Sequence, residues 1–283
     1  MTQVTSSLRD KVQTIEMSTL ETRNALTPEF QQAILDALAS GLAQDAKVVV
    51  LKGTKEAFSS GYSLGTKGRQ DYATDHDIFR DRDRLTRYAA FMSAVRSHPL
   101  PVISQISGYC VAGGTDLMLS TDIALAADTA RIGMPNVRGL GISLLSTLWP
   151  LYVGPMRTKL MMFTGDLISG AQAERWGLVA ASVPEAELEQ AVQELALRIA
   201  QVPPSLLRAT KLASNRAFER HGHDELIRDA VDIDTMVHFT DPISEFWQRA
   251  REEGMKAALR ERDAGFQGRD FASILGLGEK TPD

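Results

Sequence analysis

The chain has 283 residues, 43% of them hydrophobic and 24% charged, the balance of an ordinary globular protein and not of an intrinsically disordered one. Its 31 Lys and Arg against 36 Asp and Glu give a formal charge of -5, so following a nucleic-acid backbone is not expected to be its main task. A single cysteine, Cys110, excludes an intrachain disulfide framework and any multi-cysteine zinc site.

The opening MTQVTSSLRDKVQTIEMS has no apolar run of the signal-peptide kind, and nothing reaches the roughly 18 apolar residues of a membrane span, so a cytoplasmic protein without a membrane partner is expected. Residues 11–18 alternate apolar and polar, which predicts a half-buried strand. Thr27, Pro28 and Glu29 carry the pattern of a helix N-terminus, followed by Phe30, Ile34, Leu35, Leu38 and Leu42 on one face. Val48 to Leu51 are β-branched or aliphatic and predict a buried strand, and the polar stretch from Gly53 to about Ala73 predicts a long loop. A charged helix is predicted over about 75–97, with Ile78, Leu85, Tyr88, Phe91, Met92 and Val95 on one side. Strands at 102–107 and 122–127 then flank a helix that opens at Gly113-Gly114. This alternation runs to about Val183 and argues for α/β layers. Beyond Pro203-Pro204 the pattern is helical only, so the division is an α/β core over 1–200 and a helical region over 201–283.

Two segments carry the chemistry. AFSSGYSL (57–64) and GYCVAGGTDL (108–117) each follow an apolar strand and place glycine where main chain must come close to something. Gly113-Gly114 also stands where a helix begins, so unpaired N–H groups and the positive helix end point outward there. From spacing alone a tight turn before a helix is the favoured reading; two such donors on one oxygen would make an oxyanion hole.

These residues resemble the crotonase, or enoyl-CoA hydratase/isomerase, superfamily over nearly the whole chain. The resemblance starts at Arg23-Asn24-Ala25-Leu26, runs through AFSSGYSL and the segment 101–128, and continues in ARIGMPNV (130–137), FTGDLISGAQAERWGLV (163–179) and EEGMKAALRERDAGF (252–266). It implies a spiral of β-β-α units with a C-terminal helical trimerisation region, a homo-oligomer (trimer or hexamer), and a coenzyme A thioester as substrate with no resident cofactor or metal. Its chemistry would be stabilisation of a thioester enolate, as in fatty-acyl metabolism. It further implies that the N–H groups of Tyr62 and Gly113 form the oxyanion hole, that main chain near Ser59, Ser60 and Gly61 lines the adenine pocket, and that Arg23 meets a CoA phosphate.

The acid–base pair departs from the family pattern. The first glutamate of a hydratase falls at Asp116, shorter by one carbon–carbon bond, about 1.5 Å. The second falls at Asn136, whose amide can orient water but cannot take its proton. The usual Gly-Ile-Ile-Pro-Gly stretch reads Gly139-Leu140-Gly141-Ile142-Ser143. Hydration, double-bond isomerisation, hydrolysis and acyl-CoA binding without turnover therefore all stay open; Asp75-His76-Asp77 is a candidate source of a substitute acid, but solvated charges at a helix start are the better account of that triplet. The competing motif Gly61-Tyr62-Ser63-Leu64-Gly65 matches the hydrolase pattern G-x-S-x-G, but the preceding strand ends about ten residues too early for a nucleophile elbow. His221-Gly222-His223-Asp224 is expected to be a break between helices and not a metal cluster.

Overall fold

The computed structural model describes residues 4–64 and 77–277. Strands β1 (Val4–Arg9) and β2 (Val12–Met17) form an antiparallel hairpin whose turn residues Asp10 and Lys11 both have positive φ, 51° and 66°, as a two-residue turn between twisted strands requires. β2 buries Val12, Ile15 and Met17, whereas β1 exposes nearly all its side chains at the sheet edge. Helix α1 (Pro28–Ala43) begins where its capping residues place it: Thr27 Oγ1 accepts the Phe30 N–H at 3.1 Å. Phe30, Ile34 and Leu38 face the core, while Leu42 turns partly to solvent.

The buried strand β3 (Val48–Lys52) is followed by the short β4 (Ala57–Ser59). Helix α2 (Ile78–Arg96) is capped by Asp77, whose Oδ1 accepts the N–H groups of Phe79 and Arg80 at 3.0 and 3.1 Å. Next come β5 (Val102–Ile106), β6 (Tyr109–Val111), helix α3 (Gly113–Leu119), β7 (Ile123–Ala127) and β8 (Arg131–Gly133). A 3-10 turn at 135–138 leads to α4 (Trp149–Val153) and α5 (Pro155–Thr164). The layered part closes with β9 (Leu167–Ser169), α6 (Gly170–Trp176), β10 (Ala181–Val183) and α7 (Glu185–Ala200).

From β3 to β8 successive strands alternate between two sheets. One has six strands in the order β1-β2-β3-β5-β7-β10, parallel from β2 onward; the other has four in the order β4-β6-β8-β9. The pairs β3-β4, β5-β6 and β7-β8 thus each place one strand in either sheet before the chain turns into helix, a spiral of β-β-α units. Because β4 and β6 are adjacent and parallel, the loops that leave their C-terminal ends emerge side by side.

Among the described residues only helices follow: α8 (Pro204–Arg220), α9 (His223–His238), α10 (Asp241–Glu252), α11 (Met255–Arg262) and the short α12 (Phe271–Ile274). The His221 segment is the break between α8 and α9, with Gly222 left-handed at φ 82°. α9 lies along α2, where Val231 joins Leu85, Tyr88 and Leu144 in a small apolar cluster. Burial of a side chain such as Leu85 or Val231 contributes about 1.5–3 kcal/mol, and here it fixes a C-terminal helix over the loops that leave β4 and β6.

Candidate active site

The two loops touch through their main chains. Gly61 has φ 91°, and a Cβ built on it would lie 2.8 Å from the Gly113 nitrogen and 2.9 Å from the Val111 carbonyl oxygen. No side chain fits there, and the backbone conformation is one that L-residues rarely adopt. Leu26 N–H donates to the Gly61 carbonyl at 2.8 Å in a parallel bridge between Leu26 and Tyr62. In such a bridge the groups of residues 61 and 63 face Leu26, so the Tyr62 N–H points to the opposite side. Across from it, Ala112 stands at φ 50°, ψ -124°, a strained conformation costing about 1–3 kcal/mol, and starts α3. The Gly113 N–H belongs to the first turn of that helix, where no intrahelical acceptor exists.

Tyr62 covers this junction. Its ring stacks on Tyr88 with centroids 4.4 Å apart and planes 5° from parallel, and its hydroxyl donates to Asp116 Oδ2 at 3.1 Å. Asp116 has no solvent exposure; it also accepts from the Ser143 hydroxyl and from the Leu145 N–H at 3.1 Å. Burial raises its pKa from 3.8 to about 6, against the pull of those hydrogen bonds and with help from the negative charge of Asp234. A carboxyl poised within about one unit of neutrality can exchange protons efficiently at physiological pH. Burial, then the Asp116 charge, pushes the Tyr62 hydroxyl well above its ordinary value, so it stays a donor.

These residues border a cavity of about 840 Å³. Arg23, Ser60, Tyr62, Gly113 and Asn136 line it; Asp116 is not in the lining but is bonded to two lining residues, Tyr62 and Ser143. Ser59 and Gly61 stand behind the wall. The Ser59 hydroxyl donates to Asn24 O at 2.8 Å and accepts the Gly61 N–H at 3.1 Å, so both residues shape the loop. At the open end the Arg23 guanidinium lies 5.4 Å from the centroid of the half-exposed Tyr109 ring, and Arg131 pairs alongside Tyr109 in the sheet. The Asn136 amide donates to Gly141 O at 3.1 Å, and its Oδ1, fully enclosed, meets no donor among the described residues. Ser63 borders the cavity in an extended segment four residues past the end of β4, which is not the elbow geometry of a hydrolase nucleophile. Cys110 is buried with its thiol on Gly114 O at 3.3 Å.

Of the charged triplet named above as a substitute acid, Asp75 and His76 lie outside the described residues, and Asp77 serves as the cap of α2. The buried ionisable groups at the inner end come instead from places the sequence did not single out. His238 Nδ1 is 2.8 Å from Asp81 Oδ2, Asp81 Oδ1 pairs with Arg84 at 2.6 Å, and His238 Nε2 is 3.6 Å from Asp234 Oδ1. Asp234 Oδ1 also accepts the Ile142 N–H at 2.6 Å. The available signal was Asp234 and His238 standing in the apolar stripe of α9 with Ile227, Ala230 and Val231.

A family model described as Enoyl-CoA hydratase/isomerase matches residues 8–269. Hydroxycinnamoyl-CoA hydratase-lyase of Pseudomonas fluorescens is 30% identical over 217 residues, which cover 75% of this chain and 78% of that one. The mitochondrial enoyl-CoA hydratase domain-containing protein 3 of Rattus norvegicus is 31% identical over 208 residues, 70% of this chain and only 65% of the relative's length. Among solved structures, an enoyl-CoA hydratase from Mycobacterium smegmatis superimposes with a TM-score of 0.87 at 30% identity, covering 94% of this chain and 96% of that chain. An enoyl-CoA hydratase/isomerase from Xanthobacter autotrophicus Py2 gives 0.85 at 29% identity, with 94% and 99% coverage. With its alternating two-sheet spiral and helical C-terminal region, this chain has the crotonase fold and belongs to the enoyl-CoA hydratase/isomerase family.

Proposed function

We propose that the protein is an acyl-CoA enzyme of the hydratase/isomerase group, acting through a thioester enolate held by the N–H groups of Tyr62 and Gly113. The observation that supports this reading is the close approach of the two loops, where a Cβ at Gly61 would lie 2.8 Å from the Gly113 nitrogen, together with Tyr62 and Gly113 both lining the cavity. As negative charge moves onto the thioester oxygen, two fixed donors stabilise it, and loss of one such donor costs about 2.7–4 kcal/mol. The Tyr62 hydroxyl, backed by Asp116, moves the proton at the α-carbon. Asn136 supplies an amide at the cavity wall that can orient water but cannot take its proton. No resident cofactor is called for, because the thioester itself acidifies the α-carbon. Arg23, with Arg131 nearby, suits the phosphates of CoA at the open end. The exposed apolar side chains of α5 and α8, such as Met156, Phe163 and Leu206, support a homo-oligomer, trimer or hexamer.

Asn136 favours a second reading, isomerisation or hydrolysis on the same scaffold, because its amide contributes no proton. A panel of enoyl-CoAs incubated with the enzyme separates the readings by mass spectrometry: addition of one water marks a hydratase, an unchanged mass with a shifted double bond an isomerase, and free CoA a hydrolase. Binding without turnover on every member would leave an acyl-CoA-binding protein. Calorimetry that detects no heat with any CoA compound would remove the proposal entirely.

A further inference from the structure

We propose that Asp234, oriented by His238 and Asp81, is the second acid–base group of the acyl pocket, doing what Asn136 cannot. The inference rests on the enolate reading above and adds the group that serves the carbon beyond the α-position.

Asp234 and His238 both line the inner end of the cavity, with Tyr62 and Ser143, yet their side chains are only 5% and 4% exposed. Buried carboxylates are costly unless held, and this one is held on two sides: the Ile142 N–H lies at 2.6 Å and His238 Nε2 at 3.6 Å from Oδ1. His238 is itself fixed at its other nitrogen by Asp81, whose second oxygen is paired with Arg84. A carboxylate–imidazole–carboxylate chain of this kind sets ring orientation and supplies a partner that stabilises either protonation state of the terminal group. The chain is also close to the first acid–base pair, since the Asp234 charge acts on both Tyr62 and Asp116.

The loop between them explains the departure from the family pattern. Gly141 accepts from Asn136, Ile142 donates to Asp234, and Ser143 donates to Asp116, so three polar side chains hang on three consecutive residues. Gly141 has φ 118°, and a Cβ there would come within 2.4 Å of Asp234 Oδ1 and 2.7 Å of His238 Nε2. The space a side chain would occupy at 141 is the space in which the Asp234–His238 pair meets.

In water addition the step balances as follows. Asp234 carboxylate takes a proton from water as the water oxygen bonds to the β-carbon. The double-bond electrons move to the thioester oxygen, held by the Tyr62 and Gly113 amides. The α-carbon then takes a proton from the Tyr62 hydroxyl, which is refilled from protonated Asp116. Transfer of the proton from Asp234 back to Asp116, through solvent, resets the site.

Two reactions separate the roles. Deuterium uptake at the α-carbon of a saturated acyl-CoA in D2O reports enolate formation, and conversion of the matching enoyl-CoA reports the whole reaction. Asp234→Asn keeps an acceptor for Ile142 and should lose conversion about a hundredfold or more, with KM and deuterium uptake retained. Asp116→Asn should lose both. His238→Gln, a milder change should Asp234→Asn prove insoluble, should lower conversion about tenfold and keep uptake, a split that a merely structural role would not produce. Unaltered conversion in these Asp234 and His238 variants, or joint loss of uptake and conversion, overturns the assignment. Absence of both reactions in the parent enzyme overturns the enolate reading itself, a separate result.

Discussion

Replacing Asp116 by Asn should make the protein less active and, at alkaline pH, more stable. The carboxyl titrates at 3.8 in an unfolded chain and at about 6 in the folded protein, because burial disfavours its charge. At about 1.36 kcal/mol per pH unit, that difference is worth about 3 kcal/mol. The folded pKa is the higher one, so this contribution to stability is fully present below pH 4 and is lost as the pH rises through about 6. Asn carries no such charge while still accepting from Ser143 and Leu145, and the Tyr62 hydroxyl can turn to accept from its amide. A new, imperfect hydrogen bond takes back about 1 kcal/mol, leaving a net gain of about 1–2 kcal/mol at pH 8. Urea midpoints of parent and variant at pH 4, 6 and 8 measure it: the variant's advantage should be smallest at pH 4 and largest at pH 8. A difference that stays constant across this range would refute the reasoning, since the variant would then be acting through packing and not through charge.

Gly61→Ala should abolish enoyl-CoA turnover and lower stability by at least about 1 kcal/mol, because its Cβ would force the two loops apart at positive φ; a fully active, equally stable variant contradicts the placement of the oxyanion donors. Arg23→Ala should weaken CoA-thioester binding about fivefold, roughly 1 kcal/mol, and leave binding of a pantetheine thioester without the nucleotide unchanged, as calorimetry can decide. Asn136→Glu should raise crotonyl-CoA hydration by supplying a proton-exchanging group at the cavity wall, and no gain counts against a hydratase geometry. Gly141→Ala should reduce kcat more than it raises KM, since it displaces Asp234 without touching the oxyanion loops; an unchanged kcat would show that the Asp234–His238 pair has room to spare.

The sequence made some parts of this molecule readable and hid others for physical reasons. Thr27, the apolar stripe of α2 and the glycines of both loops are local signals, and each element formed where those signals put it. Strand β1 left no trace because an edge strand with one solvent-facing surface needs no apolar alternation, and four of its six residues are Thr, Ser or Arg. The inner acid–base groups were hidden by distance. Asp81 and His238 are 157 residues apart, and only the packing of α9 on α2 brings them together. Asp77, by contrast, caps α2, as the helix-start reading of its triplet expects. A charge in an exposed first turn completes a helix; a charge in a buried stripe must have a partner, and that difference is visible only once the faces of the helices are assigned.

The residues 141–143 act as a common peg rail for groups from three separate regions of the chain. Side chains suspended from one short run of backbone cannot be tuned one at a time, because a shift that improves one alters the reach of the others. Paired substitutions at 116, 136 and 234 should therefore show strong energetic coupling. Redesign of the acyl pocket is best begun by replacing the rail and its three passengers together.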